Sequence, residues 1–369
     1  MATVKVQQPG VYIEEMSGLS MSIASNPTTV TAFVGDFGGL SSDYVKVYAW
    51  PDFTALPPAG EGKEDARQDL GRVLRAYFQN GGGYCYLVST ADSTLTEGLA
   101  VLSKLGDVTV VVAPGLWDQG ATRAGEWARA LTGWAAENRA MALLHTDRDH
   151  TPEQAGAAID TWGLDEKLRP YAAVYFPWLR PTGDDKPLVP IGAVAGAWTT
   201  VDCERGVWKA PANIALRGID GPKYEATDTD QSTYRNLNFI RTFSGHGTLI
   251  WGARTLSGTQ EWRYIPVRRL CSTVERDIQR ALQTVMFEPN SQPTWEKVRA
   301  AVDSYLNSQW KQGGLMGNSD KEAYFVQVGK DITMTQDDVD GGRLILKVGL
   351  AAVRPAEFII LEITQEMLA

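Results

Sequence analysis

Two hydrophobic periods alternate along the chain from Thr28 to about Arg180. Short continuous apolar runs, VTAFVGDF, YCYLVS, VTVVVAP (Val108 to Pro114), AMALLHT (Ala140 to Thr146) and AAVYFPWL (Ala172 to Leu179), are each separated by one helix-length segment. After the first run, Leu70, Val73, Leu74, Tyr77 and Phe78 mark one helical face. Strands recurring at this spacing predict β-α-β crossovers and a mainly parallel sheet. Residues 1–26 are different: Val4, Val6, Val11, Tyr12 and Ile13 belong to an extended stretch broken at Pro9-Gly10 and closed by Asn26-Pro27. From Val189 to Ser257 glycines and short strands are expected to dominate. Two long helices then follow. Val267, Leu270, Cys271, Val274, Ile278, Ala281, Leu282 and Val285 form the apolar stripe of one, and Trp295, Val298, Val302, Tyr305, Leu306 and Gln309 that of the other.

The chain ends in β structure: YFVQV, a turn at DVDGG, RLILKVGL and the run AEFIILEIT. Pro355 bars a helix from entering this last run, so Phe358, Ile359, Ile360, Leu361 and Ile363 read as a strand. An apolar edge strand recruits other chains. Either a neighbouring strand of the same subunit covers it or recruitment is its purpose. The predicted fold class is mixed. An α/β domain with a mainly parallel sheet occupies residues 27–188, an α+β domain residues 189–355, and β-arms residues 1–26 and 356–369.

Composition narrows the function classes. At 369 residues with 44% hydrophobic and 21% charged, the chain is long enough for two or three folded domains. Its net charge of -9 disfavours a nucleic-acid binder working by phosphate neutralisation and a general affinity for anionic membrane. Cys85, Cys203 and Cys271 are scattered and odd in number, which suits a reducing compartment. No signal-type apolar core opens the chain, which predicts synthesis and folding in the cytoplasm.

Candidate chemistry is sparse, and no cofactor or metal is expected. The glycines of GGGYC (Gly81 to Cys85) stand between a helix and a strand, the reverse of a phosphate cradle, and read as a helix C-cap and turn. His145, His150 and His246 lack ligand spacing. Ser244-Gly245-His246-Gly247 has no GxSxG elbow, and Asp337, Asp338 and Asp340 before Gly341-Gly342 are expected in a hairpin turn rather than a calcium loop. Glu14-Glu15 and Asp184-Asp185 read as solvated charge. With no gathered site, the chain reads as an assembly protein.

Ten segments carry a family resemblance: PGVYIEE, TAFVG (Thr31 to Gly35), GGGYCYLV, AAVYFPWL, AGAWTTVDCERGVWKAPAN (Ala195 to Asn213), LNFIRTFSGHGTLIWGARTL (Leu237 to Leu256), EWRYIPVRRL, VMFEPNSQPTW, GGLMG and VRPAEFIILEI. In this order they resemble the tail sheath proteins of contractile phage tails and related injection machines, over nearly the full chain. One departure is Ile191-Gly192, where sheaths often carry Ser-Gly. The resemblance implies a non-enzymatic subunit that polymerises helically around an inner tube and contracts to drive the tube through a target envelope. It also implies that residues 27–188 face outward, that 189–355 form the tube-facing sheath core, and that the terminal arms add strands to neighbouring subunits. Its implied partners are further copies of itself, the tube protein, and baseplate and cap proteins, with no nucleic-acid or membrane contact by the subunit. Assembly in the bacterial cytoplasm, with possible release in an extracellular particle, is part of the same expectation. The length leaves little room for large outer decorations, which favours a minimal sheath of the injection-system or small-phage kind. An α/β enzyme and a different tail structural protein are the alternatives.

Charge distribution suggests where the tube is met. Residues 262–312 hold eight Lys and Arg against five acids, a local +3 that leaves -12 for the rest. Lys297, Arg299 and Lys311, outside the apolar stripe of the second helix, are the candidate tube-facing residues.

Overall fold

A computed structural model of the chain describes residues 21–25, 27–37, 43–90 and 95–357. In chain order the elements are β1 (Thr31–Gly35), β2 (Tyr44–Val47), α1 (Trp50–Thr54), α2 (Glu64–Gln79), β3 (Cys85–Ser89), α3 (Leu95–Leu105), β4 (Val110–Val112), α4 (Ala121–Glu137), β5 (Met141–His145), α5 (Pro152–Thr161), β6 (Ala172–Phe176) and β7 (Leu179–Pro181). There follow α6 (Ile191–Arg205), β8 (Ile214–Ala215), β9 (Ile219–Pro222), α7 (Asp228–Thr233), β10 (Leu237–Phe243), β11 (Gly247–Ile250), α8 (Ile265–Leu282), α9 (Gln292–Lys311), α10 (Asp320–Ala323), β12 (Tyr324–Val328), α11 (Gln336–Asp340) and β13 (Leu346–Leu350).

The five runs predicted as strands form the middle of a nine-stranded sheet ordered β2-β3-β1-β4-β5-β6-β10-β11-β8. The pairs from β3 through β10 are all parallel, while β2, β11 and β8 add antiparallel edges. Strand alternation divides the side chains between two cores. Ala32, Val34 and Val111 point into a core with Leu131, Trp134, Ile159 and Trp162 of α4 and α5 and the residue following it. Phe33, Val110 and Val112 point into the opposite core with Leu70, Leu74 and Tyr77 of α2 and Val194 and Trp198 of α6. Helices on both faces give a doubly wound α/β architecture. The sheet takes strands from both sides of residue 188, and β7 pairs with β9 in a small second sheet.

Helix α6 corrects one expectation. A region read as glycines and short strands contains a 15-residue helix. Ten of its residues are buried, from Ile191 to Val201, so no polar face exists to mark a helical period. Its glycines are contact points: a Cβ on Gly192 would lie 2.5 Å from the Val73 carbonyl oxygen, and one on Gly196 2.2 Å from that of Tyr77. Gly196→Ala should therefore destabilise the protein. The helix-propensity gain of up to about 1 kcal/mol is smaller than the roughly 1–3 kcal/mol cost of forcing α2 and α6 apart. Urea unfolding followed by tryptophan fluorescence checks the sign, and unchanged or raised stability would contradict the close-approach argument.

A third core lies beyond the sheet. Leu270, Val274 and Ile278 of α8 meet Val298, Val302, Tyr305 and Leu306 of α9, and the β12–β13 pair covers them through Tyr324, Val326, Leu346, Val348 and Leu350. Both predicted stripes are thus core faces. Tyr305 also donates a buried 2.8 Å hydrogen bond to Asp277, tying α9 to α8. The hairpin turn expected at Asp337, Asp338 and Asp340 is instead α11. Thr335 caps it, accepting from the Asp338 amide while the Asp338 carboxylate accepts from the Thr335 amide. This reciprocal capping box stabilises a helical turn where composition alone suggested a reversal.

Candidate functional site

The residues singled out for chemistry are dispersed. Asn80 ends α2 and Gly81 follows with φ of 88°, the C-terminal turn expected of GGGYC. His246 is exposed in the reversal between β10 and β11, where its amide donates to the Phe243 carbonyl. His145 is fully buried; burial pushes its pKa down to about 4, so the ring is neutral, within reach of the Thr146 and Ala113 carbonyls. Among the described residues no three His, Cys, Asp or Glu side chains are grouped as a metal site.

What the fold does gather lies near the two ends of the described residues. At the N-terminal root, Thr28 and Thr29 both donate hydroxyl hydrogen bonds to Asp202 near the end of α6. Arg269 of α8 grips the same carboxylate with a two-nitrogen fork, one arm at 2.9 Å, and donates to the Thr28 carbonyl and Thr29 hydroxyl. The guanidinium lies over the Trp198 ring at 4.6 Å. Both charged side chains are almost completely buried. Ahead of this joint, Met21 and Ile23 pack against the third core.

At the C-terminal root, Glu357 accepts from Arg254 at 2.7 Å and from the Tyr264 hydroxyl at 3.0 Å. Burial opposes the charged carboxylate, but these partners prevail and hold its pKa below the usual glutamate value. Glu357 is the last described residue. The arm residues Val4, Val6, Val11, Tyr12, Ile13, Phe358, Ile359, Ile360, Leu361 and Ile363 lie outside the described residues.

β12 and β13 pair with each other, and no further strand joins them among the described residues, although residues 314–316 bridge 351–353 just beyond the end of β13. Their outward face carries Phe325, whose ring lies across Gly349; a Cβ there would be 2.1 Å from it. Five of the seven exposed large apolar side chains among the described residues, Met286, Phe287, Met316, Phe325 and Ile332, belong to this C-terminal body. An apolar surface beside open strand edges is suited to protein contacts.

The basic surplus resolves into two populations. Arg268 and Arg269 are buried. Arg268 stacks between Trp262 and Tyr171 at 4.3 and 4.9 Å and pairs with Glu275. On α9, Lys297 is half-buried and Arg299 and Lys311 are exposed, with Arg299 paired to Glu296 three residues earlier. At ~100° per residue, Lys297 and Arg299 flank the buried stripe on opposite sides, and Lys311 projects away from it. Sequence reading missed both root clamps. Arg254 sits 103 positions from Glu357 and Arg269 67 from Asp202, separations that no local pattern spans.

An α/β body with clamps near both ends of the described residues and an exposed apolar surface beside a two-stranded sheet offers surfaces for protein contacts. Comparison with known proteins gives the family. Residues 257–366 match the phage tail sheath C-terminal domain. Over 99% of both chains the protein is 42% identical to the sheath of an extracellular contractile injection system, PVC, in its contracted state, with a TM-score of 0.80. A chain of the anti-feeding prophage baseplate is 38% identical over 98% of this chain and 100% of that one, with a TM-score of 0.75. A putative prophage major tail sheath protein of Pseudomonas aeruginosa is 29% identical over 162 residues, 42% of this chain and 40% of that protein, so the match spans less than half of that curated relative. The chain belongs to the contractile tail sheath family. It is a structural subunit of a contractile, phage tail-like particle.

Proposed function

We propose that copies of this chain polymerise helically by exchanging terminal strands, enclose an inner tube, and drive that tube through a target envelope as the lattice contracts. The observation that carries this reading is the β12–β13 pair, which no further strand joins among the described residues and which exposes Phe325. Two edges match two arms: residues 1–26 from one neighbour and 356–369 from another, each adding a strand. Head-to-tail contacts of this kind do not close, so they build an open tube. Backbone ladders survive bending at Pro27 and Pro355, which keeps the mesh connected while it shortens. The outer layer is assigned to the sheet body that residues 27–188 begin, and the inner layer to the α8, α9, β12 and β13 core within residues 189–355. Assembly in the bacterial cytoplasm, attachment to a baseplate and a terminal cap, and a structural rather than catalytic role complete the proposal; the similarity to a chain in a solved baseplate supports the first of those attachments.

The tube contact is assigned to α9 through Lys297, Arg299 and Lys311. Exposed ion pairs contribute little each and are screened by salt, which suits a contact that must release during contraction. Reversing Lys297 and Lys311 to Glu should give empty or prematurely contracted sheaths when the chain is co-expressed with its tube protein, with sheath-to-sheath assembly retained. Electron microscopy across a salt series tests it. Tube-filled particles as numerous and salt-tolerant as wild type would place the contact elsewhere.

A further inference from the structure

Two adjoining recesses, each of about 270 Å³, open beside the leading ends of β6 and β10. Arg169, Arg235, Arg254 and Arg263 line the first; Arg235 and Arg254 also line the second, where Arg241 joins them. Two of these five arginines are matched internally, Arg241 by Asp228 and Arg254 by Glu357. None of the ion pairs among the described residues includes Arg169 or Arg235, while Arg263 makes no direct pair but faces Tyr264 and helps hold Glu357 ionised. Glu166, at the rim, is engaged by the Ser257 hydroxyl and the Gly258 amide. Arg169 and Arg235 are each held through Nε, to the Leu164 and Ser232 carbonyls at 3.0 Å, which leaves the two-nitrogen fork of each guanidinium for another acceptor. Like charges sharing one recess repel, and a carboxylate among them relieves that repulsion while taking bidentate hydrogen bonds.

We propose that this recess seats a carboxylate-bearing segment of a second copy of this chain. The trough already shows its chemistry, since Arg254 binds Glu357 in it. The chain as a whole carries -9, so copies repel at long range and a basic surface that meets an acidic one steers and registers their approach. Glu357 directly precedes residues 358–369 in the sequence, the segment through which copies are proposed to join. The inference rests on the sheath reading and deepens it: beside strand exchange, neighbours are registered by a charged seat.

The test compares tube formation by purified wild type, R235E, R235E/R263E and R235K/R263K chains, by pelleting and electron microscopy at rising NaCl. Arg235 is exposed, so R235E alone leaves the fold intact even if the double variant were damaged. The expected result is at least a tenfold fall in pelleted tubes for R235E/R263E, a smaller fall for R235E, and better assembly with lysine than with glutamate. Wild-type yield and salt tolerance in R235E and R235E/R263E, or lysine and glutamate variants that fail equally, would overturn the seat while leaving the sheath reading in place. Failure of the wild type to form tubes would instead count against the sheath reading itself.

Discussion

Deleting Phe358 to Ile363 is expected to abolish tube formation while leaving a folded subunit. In a strand of period two, Phe358 and Ile360 face one side and Ile359, Leu361 and Ile363 the other. Burying three such side chains contributes roughly 5–9 kcal/mol per joint at 1.5–3 kcal/mol each. At 1.4 kcal/mol per decade, that corresponds to an association constant smaller by about 10³–10⁶ without the strand, before the lost backbone ladder is counted. Removing Met1 to Asn26 should likewise leave a soluble subunit that makes no tubes. Ile360→Pro deletes a single ladder donor and should block assembly with little effect on thermal unfolding of the free subunit. If the deletion variant pelleted as tubes at wild-type yield, the arm would not be what joins copies.

Asp202→Ala should be the most damaging single substitution to the folded subunit, costing about 3–5 kcal/mol. A buried ion pair contributes little net stability, because desolvation offsets most of the attraction, but removing one partner strands the other. Here the stranded group is Arg269, already packed over Trp198, and the Thr28 and Thr29 hydroxyls lose their acceptor as well. The same joint ties Thr28 and Thr29, just before β1, to α6 and α8, so its loss should also loosen that junction. Urea unfolding reads the magnitude. Replacing both partners, as Asp202→Leu with Arg269→Met, should recover much of the loss. A cost below about 1 kcal/mol for Asp202→Ala would mean that water reaches the guanidinium and the clamp is not structural.

Periodicity revealed the parallel sheet because each crossover has one polar face, and the stripes of α8 and α9 were legible for the same reason. Helix α6 was not, because burial all round erases the amphipathic signal and its glycines, read as breakers, are the points of closest approach to α2. The acidic DVDGG segment misled because Asp serves turns and helix starts equally; Thr335 three positions before Asp338 was the sequence signal of a cap. Counting charge over residues 262–312 located a basic region but could not separate Arg268 and Arg269, whose own side chains are buried and paired, from Lys297 and Lys311 nearer the surface. Their direct attachment to Val267 and Leu270 in an apolar stripe was the available hint. The expectation that the terminal strands pair with another copy came from the family resemblance and not from the physics of the residues.

The most direct test is negative-stain electron microscopy of the purified full-length chain beside the chain lacking Phe358 to Ile363, at equal concentration and salt. Strand exchange predicts hollow, striated tubes for the full chain and isolated particles of subunit size for the deletion. Tubes from both, or from neither, would contradict assembly through the terminal strand.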